Sequence, residues 1–166
     1  MVSTQRGFTY LAVLLATALV TAGAAAIATM WHTQSIRDKE EELLFVGHEF
    51  RRAIGRYYES SPGVKTYPRR LEDLLLDPRR EQVTRHLRRL YPDPFTNDRQ
   101  WGLIRDGAGR IIGVHSLSQT VPLKRSGFAP EDAGFATATS HTDWQFIYTP
   151  SGSGDPASPA RHDGAD

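Results

Sequence analysis

The chain begins with a long apolar stretch. From Phe8 to Trp31 no side chain carries a formal charge, and Ala and Leu, which favour helices, are frequent there. At ~1.5 Å per residue a helix over this stretch would be roughly 35 Å long, enough to cross the ~30 Å hydrocarbon core of a bilayer. The pattern therefore predicts a transmembrane helix over residues 8–31, preceded by a short polar leader at residues 1–7.

A cleavable secretory signal is the alternative interpretation of the same stretch. Arg6 precedes an apolar core at residues 11–20, and the small residues at 22–26 resemble a peptidase site. Apolar residues nevertheless continue to Trp31 without a helix breaker. We therefore expect the apolar segment to stay attached to the mature chain.

The next segment has the pattern of an amphipathic helix. After the charged residues 37–42, apolar positions recur three and four residues apart, as they do on one face of a helix. Neither Pro nor a pair of Gly interrupts the chain between Trp31 and Tyr58, so one continuous helix of about fifty residues is expected, ending at the turn residues 60–63. The apolar positions are Leu43, Leu44, Gly47, Phe50, Ile54, Tyr57 and Tyr58.

Short helices and a β-hairpin follow. Apolar residues bounded by Pro at 71–75 and again at 83–90 predict two short helices. Apolar runs at 101–104 and 111–114 flank the Gly-rich residues 106–109, which is the pattern of a hairpin. The sheet is therefore expected to begin with this hairpin.

A third strand is predicted at residues 144–148, where aromatic side chains alternate with others. Residues 116–140, which contain several Pro and Gly, are expected to form a long loop, either ordered or mobile. The Ser, Gly, Pro and Asp content of residues 150–166 predicts a disordered tail. The sequence thus predicts an α+β fold, in which residues 32–149 form one domain with a three-stranded antiparallel sheet.

Composition narrows the possible functions. The 166 residues leave room for one modest domain, and the formal net charge of +1 provides no global field that would attract nucleic acid. The chain has no Cys, which excludes disulfides, thiolate metal sites and cysteine nucleophiles. Because the net charge is close to zero, any basic patch must be local.

The start of the apolar stretch carries a short motif. Gly7-Phe8-Thr9-Tyr10-Leu11 follows the leader and opens the apolar helix. This arrangement resembles the prepilin signature of type IV pilins and of the pseudopilins of bacterial type II secretion systems. Ahead of the first strand, Tyr91-Pro92-Asp93-Pro94-Phe95 is similar to a segment of the major pseudopilins.

The resemblance implies a processed filament subunit anchored in the bacterial inner membrane. A prepilin peptidase would cleave between Gly7 and Phe8, and the new Phe8 amine would be methylated. The N-terminus would be cytoplasmic and the domain periplasmic. Expected partners are other pseudopilins through the N-terminal helix, the prepilin peptidase and the inner-membrane assembly platform. The expected function is that of a structural subunit of a periplasmic filament that drives protein export.

Two alternatives to this function stay open. A type IV pilus or a DNA-uptake machine would use a minor pilin of the same plan, whereas a membrane-anchored periplasmic binding or enzymatic domain would be a different class of protein. The fifth residue of the expected mature chain is Ala12, where most pilin-like subunits carry a glutamate that pairs with a neighbour's N-terminal amine. No Asp or Glu precedes Asp38, which favours a minor or initiating subunit, although the segment around Asp93 resembles the major branch.

Calcium binding is one expectation that the residues themselves do not support. Major pseudopilins commonly bind calcium in the loop after the second strand, where this chain has Glu131 and Asp132. A calcium site needs about six to eight oxygen ligands, and two adjacent acids provide too few. We therefore predict no metal site and no cofactor.

The other polar residues form no catalytic motif. The histidines lack metal-ligand spacing and nucleophile motifs, so isolated surface or core positions are expected for them. His48 and Glu49 point about 100° apart on a helix, which favours a solvated face over an acid-base pair. We therefore predict no catalytic residue and no enzyme activity. The histidines are His32, His48, His86, His115, His141 and His162.

Residues 65–90 carry a local excess of basic side chains. A phosphate-binding stripe is one interpretation, and contacts with carboxylates of neighbouring subunits, such as those at 40–42, are another. The apolar positions of the segment already explain its predicted helices, so a solvated charged face is favoured and nucleic acid is not. The basic residues are Lys65, Arg69, Arg70, Arg79, Arg80, Arg85, Arg88 and Arg89.

Overall fold

One long helix organises the molecule. The computed structural model describes residues 5–150, and within them the side chains of residues 10–19, 31 and 33–150. Helix α1 runs Gln5–Glu59 without interruption over 55 residues, which confirms the predicted continuous helix and its end just before residue 60. The predicted tail at 150–166 lies, apart from Pro150, outside the described residues.

The predicted membrane span covers the first half of α1. Within the described residues, no helix is long and apolar enough to cross a membrane. Part of the predicted span, residues 8, 9 and 20–30, lies outside the described side chains.

The second half of α1 packs against the sheet. Its apolar side chains are buried at helical spacing, which confirms the predicted amphipathic face. Gly47 and Gly55 allow a close approach: a Cβ at Gly47 would lie 2.4 Å from the ring of Phe146, and one at Gly55 would lie 2.7 Å from the ring of Tyr148. The buried positions are Leu43, Val46, Phe50, Ala53, Ile54 and Tyr57.

The strands form the predicted antiparallel sheet. Within residues 5–150 the strands are β1 (Gly102–Arg105), β2 (Ile111–His115) and β3 (Gln145–Ile147), in the order β1-β2-β3. Leu103 pairs with Val114, which in turn pairs with Phe146. The α+β class, the hairpin and the third strand are therefore confirmed.

Of the two predicted short helices, the first is present, and the prediction of the second is wrong. A 3₁₀ helix forms at Leu71–Leu74, but residues 83–90 form no helix. The backbone N–H groups of His86 and Leu87 both donate to the carbonyl of Leu74, at 2.8 and 2.9 Å. These long-range bonds use donors that a local helix would need, and they fold the segment back against the first turn.

The long segment between β2 and β3 is ordered, which the sequence had left open. It contains the 3₁₀ helix Pro130–Thr137 and leads into a second one at His141–Asp143. Phe135 enters the core and stacks on Trp144 with 5.5 Å between ring centroids. Through this packing the segment contributes to the core of the domain.

Candidate subunit interface

The described residues 10–19 of α1 carry large apolar side chains that are exposed. Every large apolar residue among residues 10–19 is at least 50% exposed, and Trp31 is 75% exposed. Exposed apolar surface of this extent on a single element marks an interaction site. The expected cleavage and methylation residues, Gly7 and Phe8, lie at the start of α1 but outside the described side chains.

The second half of α1 has a solvent-facing row opposite the core, which we call the exposed stripe. Its residues follow one another at spacings of three and four, so they lie on one face of the helix. Phe45, in the middle of the stripe, is 55% exposed although it is a large aromatic residue. The stripe consists of Asp38, Glu42, Phe45, Glu49, Arg52 and Arg56.

Charge is separated along the exposed stripe. Asp38 and Glu42 make its N-terminal end acidic, whereas Arg52 and Arg56 make its C-terminal end basic. Arg52 forms an ion pair with Glu49, and Arg56 donates to the carbonyl of His86 at 2.6 Å. The stripe is therefore an acidic surface followed by a basic one.

The basic end widens into a depression that we call the arginine groove. The groove has a volume of about 470 Å³ and lies between α1 and residues 85–91. Arg85 and Arg88 are exposed and make no ion pair with any described residue. The guanidinium of Arg89 lies 4.8 Å from the ring centroid of Tyr91. The lining residues are Phe45, Glu49, Arg56, Arg85, His86, Leu87, Arg88 and Tyr91.

The two ends of the stripe carry opposite charges. Ten residues separate Glu42 from Arg52 and fourteen separate it from Arg56, which corresponds to about 15–21 Å along the helix at ~1.5 Å per residue. A parallel second copy shifted by that distance would bring its acidic end against the arginine groove of the first. A head-to-tail contact of this kind does not close and generates a filament.

Three of the described histidines each lie within hydrogen-bond distance of a buried carboxylate. The Nε2 atom of His48 lies 2.6 Å from Asp132, and that of His86 lies 3.1 Å from Asp77. His141 is fully buried and its Nε2 lies 3.3 Å from Glu40. His115 donates from Nδ1 to the carbonyl of Ser116, 2.8 Å away. The described histidine contacts are thus all formed within the chain.

The two adjacent acids Glu131 and Asp132 have different surroundings. Glu131 is exposed, whereas Asp132 is 1% exposed and accepts from Arg51 and His48, each at 2.6 Å. Among the described residues no group of three or more acidic, His or Cys side chains comes together to hold a metal ion.

Arg79 was predicted to lie on a solvated face and instead forms a buried ion pair. Its guanidinium donates to both carboxylate oxygens of Asp77, at 2.8 and 2.6 Å, and to the carbonyl of Tyr57 at 2.8 Å. Hydrogen bonds from Arg79 hold the pKa of the Asp77 carboxyl well below its usual range. Through its bond to the carbonyl of Tyr57, Arg79 joins the end of α1 to the connection that follows.

Comparison with known proteins gives no relative for this chain. No family model matches it, and no curated protein and no solved structure matches it either. The exposed stripe, the arginine groove and the exposed apolar residues among 10–19 are therefore the features that bear on function.

Proposed function

We propose that the chain is a structural subunit of a pilin-like filament, a pseudopilin of a type II secretion system, anchored by residues 8–31 in the bacterial inner membrane. The observation that supports this most is a contrast within the described part of α1: apolar side chains of residues 43–57 pack in the core, whereas the large apolar side chains among residues 10–19 are at least 50% exposed. Large apolar side chains that are exposed in this way need lipid or neighbouring helices to cover them.

In this proposal the two halves of α1 have separate tasks. The first half serves as membrane anchor and then as part of a bundle of helices, after cleavage between Gly7 and Phe8 and methylation of Phe8. The second half presents the exposed stripe to neighbouring subunits. No convergent set of catalytic groups competes with this assignment among the described residues, so we propose a mechanical function and not an enzymatic one.

The intact mass of the protein tests the assignment directly. The chain should be co-expressed with a prepilin peptidase, purified from membranes and analysed by mass spectrometry. A chain that begins at Phe8 and carries one added methyl group is the expected result. An unprocessed chain would refute the proposal in favour of a plain membrane anchor, and a start near Ala25 or Ala26 would refute it in favour of a secreted domain.

Cysteine cross-linking tests the stripe contact, since the natural chain has no Cys. The double variant Glu42→Cys with Arg88→Cys, expressed with the assembly machinery, should give a ladder of disulfide-linked multimers on non-reducing gels. Glu42→Cys with Arg105→Cys is the matched control, because Arg105 is an exposed arginine that lies on β1, away from the groove. Equal ladders from both pairs would contradict the stripe contact.

A further inference from the structure

Three buried carboxylates make contacts that involve the segment between β2 and β3. Two of them lie outside the segment and one lies within it. Glu40 is 2% exposed, Asp93 is fully buried and Asp132 is 1% exposed. A carboxylate removed from water is costly unless donors or cations surround it. The partners of these three groups therefore show what holds residues 116–141 in place.

Glu40 binds the middle of the segment. Its carboxylate oxygens accept the backbone N–H of Leu123 at 2.5 Å and that of Lys124 at 3.0 Å. His141 approaches the same carboxylate through Nε2 at 3.3 Å, while its Nδ1 lies 2.9 Å from the hydroxyl of Thr120. A single helical side chain thus fixes the backbone at two adjacent residues and orients a buried imidazole.

Asp93 binds the start of the segment, and Asp132 attaches its later part to α1. Asp93 accepts the hydroxyl of Ser116 at 2.7 Å and the backbone N–H of Phe95 at 2.9 Å. Asp132 lies within the segment and accepts from Arg51 of α1, through a charge-assisted bond of 2.6 Å. Each carboxylate has donors from this chain on both of its oxygens.

We infer that Glu40, Asp93 and Asp132 do for residues 116–141 what a bound calcium ion does in the major pseudopilins, so that the segment is ordered without a metal. A hard cation would need about six to eight oxygens, and at these carboxylates it would compete with donors that already contact both oxygens of each group. The contacts all lie within one chain, so the inference holds whether or not the protein assembles into filaments.

Hydrogen–deuterium exchange on the full chain in detergent tests this inference. In wild-type protein the peptides that cover residues 119–128 should exchange equally slowly with excess EGTA and with millimolar Ca²⁺. In Glu40→Gln the amides of Leu123 and Lys124 should exchange at least ~tenfold faster, because both lose a charged acceptor. Glu41→Gln, which alters the adjacent exposed acid, should leave the exchange unchanged.

A second pair of variants guards against a general loss of fold in Glu40→Gln. Asp132→Asn should speed exchange in residues 128–138, whereas Glu131→Gln should not, since Glu131 is exposed. The inference is overturned if Ca²⁺ slows exchange or raises the unfolding temperature of wild-type protein and EGTA reverses the effect. It is equally overturned if Glu40→Gln and Glu41→Gln exchange alike.

Discussion

Replacement of Arg79 by Met should destabilise the domain more than any change at a neighbouring surface arginine. The Arg79 guanidinium donates to Asp77, to the carbonyl of Tyr57 and to the hydroxyl of Ser61 at 2.5 Å. It also lies 3.5 Å from the ring centroid of Tyr57. Arg79→Met keeps an unbranched apolar stem of similar size to that of arginine and removes these donors together.

The expected loss of unfolding free energy arises because Arg79→Met leaves the Asp77 carboxylate buried without its charged partner. The Asp77 side chain is 0% exposed and that of Arg79 is 18% exposed, so solvent does not replace the lost partner. Removal of one member of a buried ion pair costs about 3–5 kcal/mol, a large part of the ~5–15 kcal/mol that stabilises a typical domain. For a domain of this size that loss lowers the unfolding midpoint by about 10–20 °C.

Thermal unfolding of the full chain in detergent, followed by Trp fluorescence, measures the effect because Trp101 and Trp144 are buried. Arg80→Met is the matched control, since Arg80 is exposed, and it should cost under about 1 kcal/mol. Arg79→Lys should fall between the two, because an ammonium cannot reproduce the planar set of donors. Equal midpoints for Arg79→Met and Arg80→Met would refute the argument.

The same ion pair predicts a loss of stability in acid. The folded-state pKa of Asp77 lies below its unfolded value, so the unfolded chain takes up the proton first as the pH falls. The stabilisation is therefore complete above about pH 5 and is lost progressively below about pH 4. Arg79→Met should reduce the slope of stability against pH in this acid range, measured by urea unfolding.

Three further changes test other parts of the structure. Gly47→Ala should lower the unfolding free energy by about 1–3 kcal/mol, because the added Cβ would lie 2.4 Å from the Phe146 ring, whereas Gly134→Ala meets nothing within 4 Å and should not; equal costs would contradict the close approach. Burial lowers the pKa of His141, so stability should fall as the pH drops below about 6.5, and urea unfolding of His141→Asn should show a shallower fall; an unchanged slope would rule out this titration. Under the proposed function, Gly7→Val should leave an unprocessed precursor on an immunoblot, and normal maturation would remove the prepilin assignment.

The course of α1 and the first hairpin, which depend on neighbours in sequence, were predicted correctly. The period of apolar residues around Phe50 and the turn residues after Glu59 determine where α1 packs and ends. The Gly-rich connection between β1 and β2 similarly predicts their hairpin, because the turn alone brings the strands together. These features need no information from distant residues.

Features that depend on distant residues were not predictable. Glu40 and Glu41 are the same residue type side by side, yet only Glu40 is buried, and its partner Leu123 lies 83 residues away in sequence. Asp132 is distinguished from Glu131 in the same way, by Arg51 at a separation of 81 residues. Which of two adjacent acids becomes structural is decided by the fold, so the local pattern could only mark both as charged.

Ala12 decides how such a subunit joins a filament, if the proposed function is correct. An unpaired amine at Phe8 inside a bundle of helices costs several kcal/mol, and without an acid before Asp38 no identical neighbour neutralises it. The exposed stripe offers surface ion pairs, each of which stabilises a contact by about 0–1 kcal/mol. A few such pairs do not offset the cost of the buried amine. We therefore expect the chain to pair with neighbours that carry a glutamate and to form no long filament alone. The test is to overexpress the chain with the assembly machinery but without other pseudopilins. Electron microscopy should then show filaments only for Ala12→Glu. Long filaments of the natural chain would contradict this expectation.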